Sequence, residues 1–283
     1  MTTARRLRTL LAAPGIIRSL APHDVFTARV MEQAGLPLLF LGGFGASASS
    51  YGLPDLGLLG LAEMADAARR MTGAVSVPVI VDGDTGYGSA PNVIRTVREF
   101  ERAGAAGMLL EDQVFPKRCG HFAGKQVIPI EEMETKLKAA LDARRDPDFV
   151  VIARTDARAV EGLDAAIDRA NRYARLGADL VFVEAPQTEA ELARIAHEIE
   201  KPQLANMLVG GATPILSATE LERLGFKIVV SPVESLTITA FAVQQLSRAM
   251  LDEGRVDGLT DRMSSFADLK RLLGVDGFID RQG

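Results

Sequence analysis

Three observations predict that this chain folds as a (β/α)8 barrel. Short β-branched, apolar runs recur eight times with helical patterns between them. The helices often finish on a glycine just before the next run, and several runs finish on a charged or amide residue. Near-continuous hydrophobicity suits parallel strands buried on both faces. Eight strand–helix units in succession argue that the sheet closes on itself. An open, doubly wound sheet is the alternative that the pattern alone leaves standing.

The predicted strands are Gly15–Leu20, Leu38–Gly42, Val77–Asp84, Gly107–Asp112, Phe149–Asp156, Leu180–Ala185, Gln203–Met207 and Lys227–Ser231. Gly35, Gly104, Gly177 and Gly225 each stand where a helix must stop before a strand. Without a Cβ, glycine takes the left-handed conformation that ends a helix. After Ser231 the pattern reads as a long helix near Ser235–Glu253 and a shorter one near Thr260–Leu273, more than a last barrel helix requires. No Pro- or Ser-rich linker divides the chain, so residues 1–283 are expected to form one barrel domain with a helical extension over about 233–283.

Bulk properties fit this reading. A chain of 283 residues matches the usual size of such barrels, roughly 250 residues. Hydrophobic residues at 47% supply a core, and a net charge of −5 gives no electrostatic case for nucleic acid or an anionic membrane. The single cysteine, Cys119, excludes an intrachain disulfide and suggests a reducing, cytoplasmic setting. Arg5, Arg6 and Arg8 precede only a short apolar stretch, Leu10–Ala13, too brief for a signal peptide. No uninterrupted apolar run approaches the ~20 residues of a membrane span.

The polar strand ends point to chemistry. Asp82 and Asp84, Glu111 and Asp112, Arg154 and Asp156, Glu184 and Asn206 come from five separate segments. A barrel gathers the C-terminal ends of its strands at one face, where active sites of this fold lie. Any one of these residues alone could be a cap or turn residue; the set is poorly explained that way. Asp82-Gly-Asp84-Thr-Gly86-Tyr-Gly88 offers two carboxylates and a pliable backbone. Hard oxygen donors of this kind, with Glu111, suit Mg²⁺, which keeps several waters and takes few protein ligands.

Lys117-Arg118-Cys119-Gly120-His121 lies in a loop after the fourth strand. Its neighbours place Cys119 in an electropositive setting expected to favour thiolate and proton-transfer chemistry. A lone Cys-x-His has no partner pair of zinc-ligand spacing. His197 reads as a solvated helix residue, His23 as part of a helix start capped by Asp24, and Arg144-Arg145 as a helix-end charge pair.

Together, Gly52-Leu-Pro-Asp55, Val81-Asp-Gly-Asp84-Thr-Gly-Tyr-Gly88, Leu110-Glu111-Asp112-Gln113, Lys117-Arg-Cys-Gly-His121, Ala153-Arg-Thr-Asp156, Glu184-Ala-Pro186, Ala205-Asn206-Met207 and Gly210-Gly-Ala-Thr-Pro214 form a joint pattern over residues 10 to 250. It resembles the isocitrate lyase/phosphoenolpyruvate mutase superfamily, and the Lys-Arg-Cys-Gly-His loop resembles its lyase branch. The resemblance implies Mg²⁺, with Mn²⁺ as an alternative, held by Asp82 with Asp84 and Glu111 directly or through waters, and Asp55 in support. It implies that Arg154 holds a substrate carboxylate through its planar fork. Gly42, Gly43, Gly120, His121, Glu184 and Asn206 would line the rest of the substrate site, and Cys119 would be the general acid on a gating loop. The implied reaction is retro-aldol cleavage of a 2-hydroxy di- or tricarboxylate, of alkylmalate or methylisocitrate type, to a 2-oxo acid and a second carboxylic acid. The resemblance also implies a homotetramer that exchanges a C-terminal helix.

The chain departs from the pattern in three places. Phe40-Leu-Gly42-Gly43 stands where the lyases commonly show Tyr-x-Ser-Gly, which removes a phenol and a hydroxyl. Phe122 replaces a common Arg, and Val209 a common Glu. These changes favour an alkylmalate-like substrate over a tricarboxylate. Two rival readings keep the same scaffold: an oxaloacetate decarboxylase, oxaloacetate hydrolase or phosphonate-processing enzyme, and a non-catalytic dicarboxylate-binding homologue.

Overall fold

Side chains along a strand point alternately to its two faces, and that parity organises the molecule. The computed structural model describes residues 1–279. Its strands are β1 (Ile17–Leu20), β2 (Leu38–Leu41), β3 (Val79–Asp82), β4 (Gly107–Glu111), β5 (Val150–Thr155), β6 (Leu180–Val183), β7 (Leu204–Asn206) and β8 (Ile228–Ser231). All pair in parallel, each with its sequence neighbour. β1 also pairs with β8, Ile17 beside Ile228 and Ser19 beside Val230. A single bridge, Val181 to Gln203, joins β6 to the approach to β7. The sheet therefore closes as predicted, and the open doubly wound alternative is excluded. The strands are shorter than predicted at their ends, because the flanking residues turn into loops or caps.

The helices are α1 (Thr3–Ala12), α2 (Val25–Gln33), α3 (Gly43–Tyr51), α4 (Leu61–Thr72), α5 (Ala90–Arg102), α6 (Ile130–Ala143), α7 (Ala157–Val160), α8 (Leu163–Leu176), α9 (Glu189–Glu198), α10 (Ala218–Leu224), α11 (Glu234–Glu253), α12 (Phe266–Leu273) and α13 (Val275–Ile279). Gly35, Gly104, Gly177 and Gly225 all adopt positive φ at the predicted stops. No helix among the described residues is long and apolar enough to cross a membrane.

Two apolar layers follow from the parity. Leu38, Phe40, Ile80, Leu109, Ile152, Phe182, Leu204 and Ile228 fill the barrel interior. Their neighbours Leu39, Val81, Met108, Val151, Val181 and Ala205 face the surrounding helices. Helix α1 plugs the lower end. Leu7 is fully buried among the interior residues, and the Arg8 guanidinium reaches Asp179 at 2.7 Å and the Asp148 carbonyl at 3.0 Å. The arginine-bearing N-terminal stretch is thus part of the fold.

Two details correct the expectations. The predicted helix Thr260–Leu273 is a 3-10 turn (Asp257–Arg262) followed by α12, whose N-cap Ser265 accepts from the Asp268 amide. Arg144 is more than one of a helix-end charge pair: it donates to Asp179 at 2.9 Å and to the Phe149 carbonyl. Residues 280–283 of the predicted extension lie outside the described residues.

Candidate active site

Two residues further along the inward-facing rows, the apolar interior turns polar. Asp82 follows Ile80, Glu111 follows Leu109, Arg154 follows Ile152, Glu184 follows Phe182 and Asn206 follows Leu204. Alternation carries each onto the barrel axis at the C-terminal face. The cavity there is lined by Gly42, Gly43, Asp55, Asp82, Lys117, Cys119, Gly120, His121, Arg154, Glu184 and Asn206. Of the residues predicted to hold metal or substrate, only Asp84 and Glu111 do not line it, and both are buried. Of the other strand-end groups, Asp156 sits behind Arg154, and Asp112 faces away. Adjacent residues of a strand point to opposite faces, so Asp112 turns outward to Tyr173 Oη at 2.9 Å, Thr155 Oγ1 at 2.7 Å and Arg169 at 3.3 Å.

The acidic side is crowded. Gly43 N–H donates to Asp82 Oδ2 at 3.1 Å, and Asp84 N–H donates to Asp82 Oδ1 at 3.1 Å. A Cβ on Gly43 would lie within 3.5 Å of oxygens from Asp82, Asp55 and Asp84, so three carboxylates converge where helix α3 begins. Asp84 holds its position with φ 45°, a left-handed backbone that costs energy for a non-glycine residue and marks functional strain. Lys117 Nζ sits among these acids, 2.5 Å from Asp55 Oδ1 and 2.8 Å from Asp84 Oδ1.

One ammonium does not balance the cluster. Burial pushes Asp84 up to about 7, with Asp82 and Asp55 adding repulsion and Lys117 opposing. Burial also raises Glu111, against the pull of Arg154. Glu111 Oε1 is buried and accepts no hydrogen bond, and the Lys117 ammonium is the one partner of Asp84 Oδ1 among the described residues. Among the described residues no three acidic, histidine or cysteine side chains already converge as a metal cage. A set of hard oxygens, short of positive charge and with an orphaned acceptor on Glu111, nevertheless fits a cation that keeps part of its water shell.

Arg154 governs the opposite side. Its Nε and Nη2 donate to Asp156 at 2.9 and 3.1 Å. Nη1 lies 3.4 Å from Glu111, and Nη2 lies 3.1 Å from Glu184. The guanidinium also stands 5.5 Å from the Phe182 ring centre. Burial opposes its charge, but Asp156, Glu184 and Glu111 hold its pKa well above the ordinary value. The fork expected to grip a substrate is engaged by Asp156, which leaves the Nη1 side for a ligand.

The Cys119 loop closes over both halves. Gln113 pins Arg118 by two bonds, from its amide to the Arg118 carbonyl at 2.8 Å and from the Arg118 N–H at 2.9 Å. His121 Nδ1 accepts from the Ala212 N–H at 3.2 Å, and Nε2 lies 3.4 Å from Glu184. Gly120 is required: a Cβ there would come within 2.5 Å of Arg154 and 2.6 Å of Glu184.

The predicted electropositive setting of Cys119 is not found. Lys117 is paired with acids, and Arg118 points away to the Ala123 carbonyl. Burial raises the thiol pKa; the His121 backbone and Arg154 oppose it, and Asp55 and Glu184 add to it. Cys119 is held as a neutral thiol, suited to giving a proton rather than to attacking as thiolate.

Two of the noted departures do not face the cavity. Phe122 is 43% exposed and Val209 is 70% exposed, so neither reports on the substrate as expected. Phe40 does line it, beside Phe44, Leu208, Val230, Pro232 and Val233. Sequence reasoning missed Lys125, whose Nζ donates to Asp156 at 2.7 Å and to the Gly120 carbonyl. A lysine after Gly124 in a polar loop carries no sequence signal of burial. The outward aim of Asp112, by contrast, was available from strand parity.

Comparison with known proteins agrees with this geometry. The phosphoenolpyruvate phosphomutase family profile matches residues 7–251. The chain is 43% identical over 276 residues to 2,3-dimethylmalate lyase of Eubacterium barkeri, covering 98% of this chain and 96% of that one. It is 40% identical to 2-methylisocitrate lyase of Shewanella oneidensis, covering 98% and 94%. Among solved structures, phosphonopyruvate hydrolase in complex with oxalate and Mg²⁺ superposes with a TM-score of 0.89 at 29% identity, over 99% of this chain and 98% of the other.

Proposed function

Because this chain belongs to the isocitrate lyase/phosphoenolpyruvate mutase superfamily, we propose that it cleaves the C2–C3 bond of an alkylmalate-like 2-hydroxy dicarboxylate. The products would be a 2-oxo acid and a second carboxylic acid. The observation that carries this reading is a neutral Cys119 thiol on a loop that closes the cavity shared by Arg154 and the acidic cluster.

The oxo-acid half would lie against the Gly43 end of helix α3, where the N-terminal amides and helix dipole favour a carboxylate. Asp82, Asp84 and Glu111 would hold Mg²⁺, or Mn²⁺, with Asp55 and Lys117 beside them; the ion, when bound, supplies charge stabilisation to the 2-oxo side. The departing half would meet Arg154 Nη1, His121 and Asn206. As C2–C3 breaks, the electron pair passes to C3 and its carboxylate as an aci-carboxylate. Cys119 then delivers its proton to C3. The closed loop keeps bulk water from that carbanion. Phe40 has no hydroxyl, so the group that takes the C2 hydroxyl proton is not a phenol at position 40.

The wall of Phe40, Leu208, Val230, Pro232 and Val233 supports an apolar substituent over the third carboxylate of methylisocitrate, which remains the neighbouring candidate. The absent phenol favours one second reading, oxaloacetate hydrolysis or decarboxylation, which does not require it. The arm of helix α11 supports a homotetramer built by helix exchange, and a lone free thiol suits a reducing cytoplasm.

The test is turnover of malate, 2,3-dimethylmalate, isocitrate, 2-methylisocitrate and oxaloacetate with Mg²⁺, read by proton NMR, beside a Cys119→Ser variant and an EDTA-treated sample. Paired acids from an alkylmalate, lost in the variant and on chelation, support the proposal. Consumption of oxaloacetate alone, or indifference to Cys119→Ser, sinks it.

A further inference from the structure

We propose that Lys125 is a positioning residue that couples the seating of the Cys119 loop to the aim of Arg154. Its side chain is 2% exposed. A buried ammonium is costly, and its pairing seldom adds more stability than an apolar residue of the same size would. What Lys125 does with its donors is specific: one goes to the Gly120 carbonyl and one to Asp156 Oδ1 at 2.7 Å. Asp156 in turn grips Arg154 through Nε and Nη2. On the other side, Gly120 lies so close to Arg154 that a Cβ would collide with Nη2.

Loop backbone, ammonium, carboxylate and guanidinium therefore form a closed ring of contacts. Of the loop's other ties, Gln113 holds the Arg118 backbone, the Ala212 N–H meets the His121 imidazole, and Lys117 pairs with Asp55 and Asp84. Lys125 makes the loop's position and the guanidinium's orientation depend on the same atoms, beside a looser path from His121 through Glu184 to Arg154. When the loop lifts, Gly120 leaves Lys125, Asp156 loses a fixed partner, and the Arg154 fork is freer to rotate. Closure would then set the proton donor and the carboxylate anchor in one motion. The kinetic part of this inference rests on the proposed lyase reading; the loop part does not.

Cys119 is the only cysteine in the chain, so its alkylation by iodoacetamide reads loop seating directly, with or without a known substrate. Losing a charge-assisted bond should speed alkylation of folded Lys125→Met protein by about tenfold. Oxalate, which should slow alkylation of the parent, should protect the variant less. With a substrate in hand, kcat should fall about 10- to 100-fold, as expected for misplaced reacting groups, and KM should change less. Lys125→Arg, which keeps the charge and the Asp156 pair, should recover part of the protection. Folded Lys125→Met with parental alkylation and parental oxalate protection overturns the inference, whatever the activity. If Lys125→Met does not fold, Lys125→Gln, which loses the charge but keeps an amide donor, decides: a parental alkylation rate with parental oxalate protection overturns the inference, and a faster rate supports it. A parent that turns over none of the panel counts against the lyase reading alone, because the alkylation arm still gives its answer.

Discussion

Helix α5 buries Val93, Thr96, Val97 and Phe100 against the barrel in 13 residues, whereas helix α11 runs for 20 residues and buries none. Both carry enough apolar residues for a core-facing stripe. On α11, Ile238 is 64% exposed, Phe241 55% and Leu251 84%. The eighth strand's own surroundings agree: Val229, on the outward row of β8, stays half-buried, and Arg18 on neighbouring β1 is exposed. A patch of this kind on a single chain is the kind of surface that the proposed helix exchange would cover. Helix α5 completes its packing on the barrel and α11 does not, and the contrast separates a helix that serves the barrel from one that leaves its apolar face open.

The largest expected effect tests whether chemistry belongs to the barrel side only. Cys119→Ala should lower kcat by about 10²- to 10⁴-fold, the usual contribution of a positioned general acid, while sedimentation shows an unchanged assembly. A variant that also dissociates would mean that the loop and the arm are coupled. Next, Phe100→Ala should cost the barrel about 3–5 kcal/mol in urea unfolding, through lost burial and a cavity. Phe241→Asp should instead shift the sedimenting species toward monomer and leave the barrel's own unfolding within about 0.5 kcal/mol, as an exposed substitution does. If both variants unfold the barrel alike, α11 packs on its own chain and the contrast fails.

A pH profile sharpens the chemical side. As the proposed general acid, Cys119 would have to be protonated to act, and burial raises its pKa. Activity should therefore persist through the ordinary thiol range and fall only above it, as the thiol deprotonates. A basic limb below that range, or one that survives in Cys119→Ser, removes the thiol from the acid role. The smallest effect lies where the arm meets the barrel. Asp24 caps α2 by accepting from Thr27 N–H at 2.7 Å. Asp24→Ala should cost about 1 kcal/mol in urea unfolding, and a loss several times larger would mean that α2 depends on more than its cap.

Much of this was legible in advance because periodicity and position carry it. Alternation within β3, β4, β5 and β6 is enough to send Asp82, Glu111, Arg154 and Glu184 to one face, and barrel closure brings those faces together. Gly120 was readable as a necessary glycine only through its motif; the reason, a collision with Arg154 and Glu184, needs coordinates. The charge state of Cys119 was misread for a related reason. Neighbours in sequence, Lys117 and Arg118, suggested a positive field, yet one is neutralised by Asp55 and Asp84 and the other faces Ala123. Adjacent residues on a loop can point anywhere, so a local count of charges does not give a local potential.

By itself, then, the sequence determined the eightfold repeat, the parallel buried strands, the stops at Gly35, Gly104, Gly177 and Gly225, and the set of polar groups at the strand ends. These depend on hydrophobic period and on backbone freedom, which act over a few residues. Tertiary structure alone decided that Arg154 is already gripped by Asp156, that Lys125 is buried beneath the loop, that Phe122 and Val209 face away from the cavity, and that α11 stands apart from its own barrel. Those outcomes depend on which distant segments meet and on what remains to satisfy each buried charge, and pattern along the chain does not carry that information.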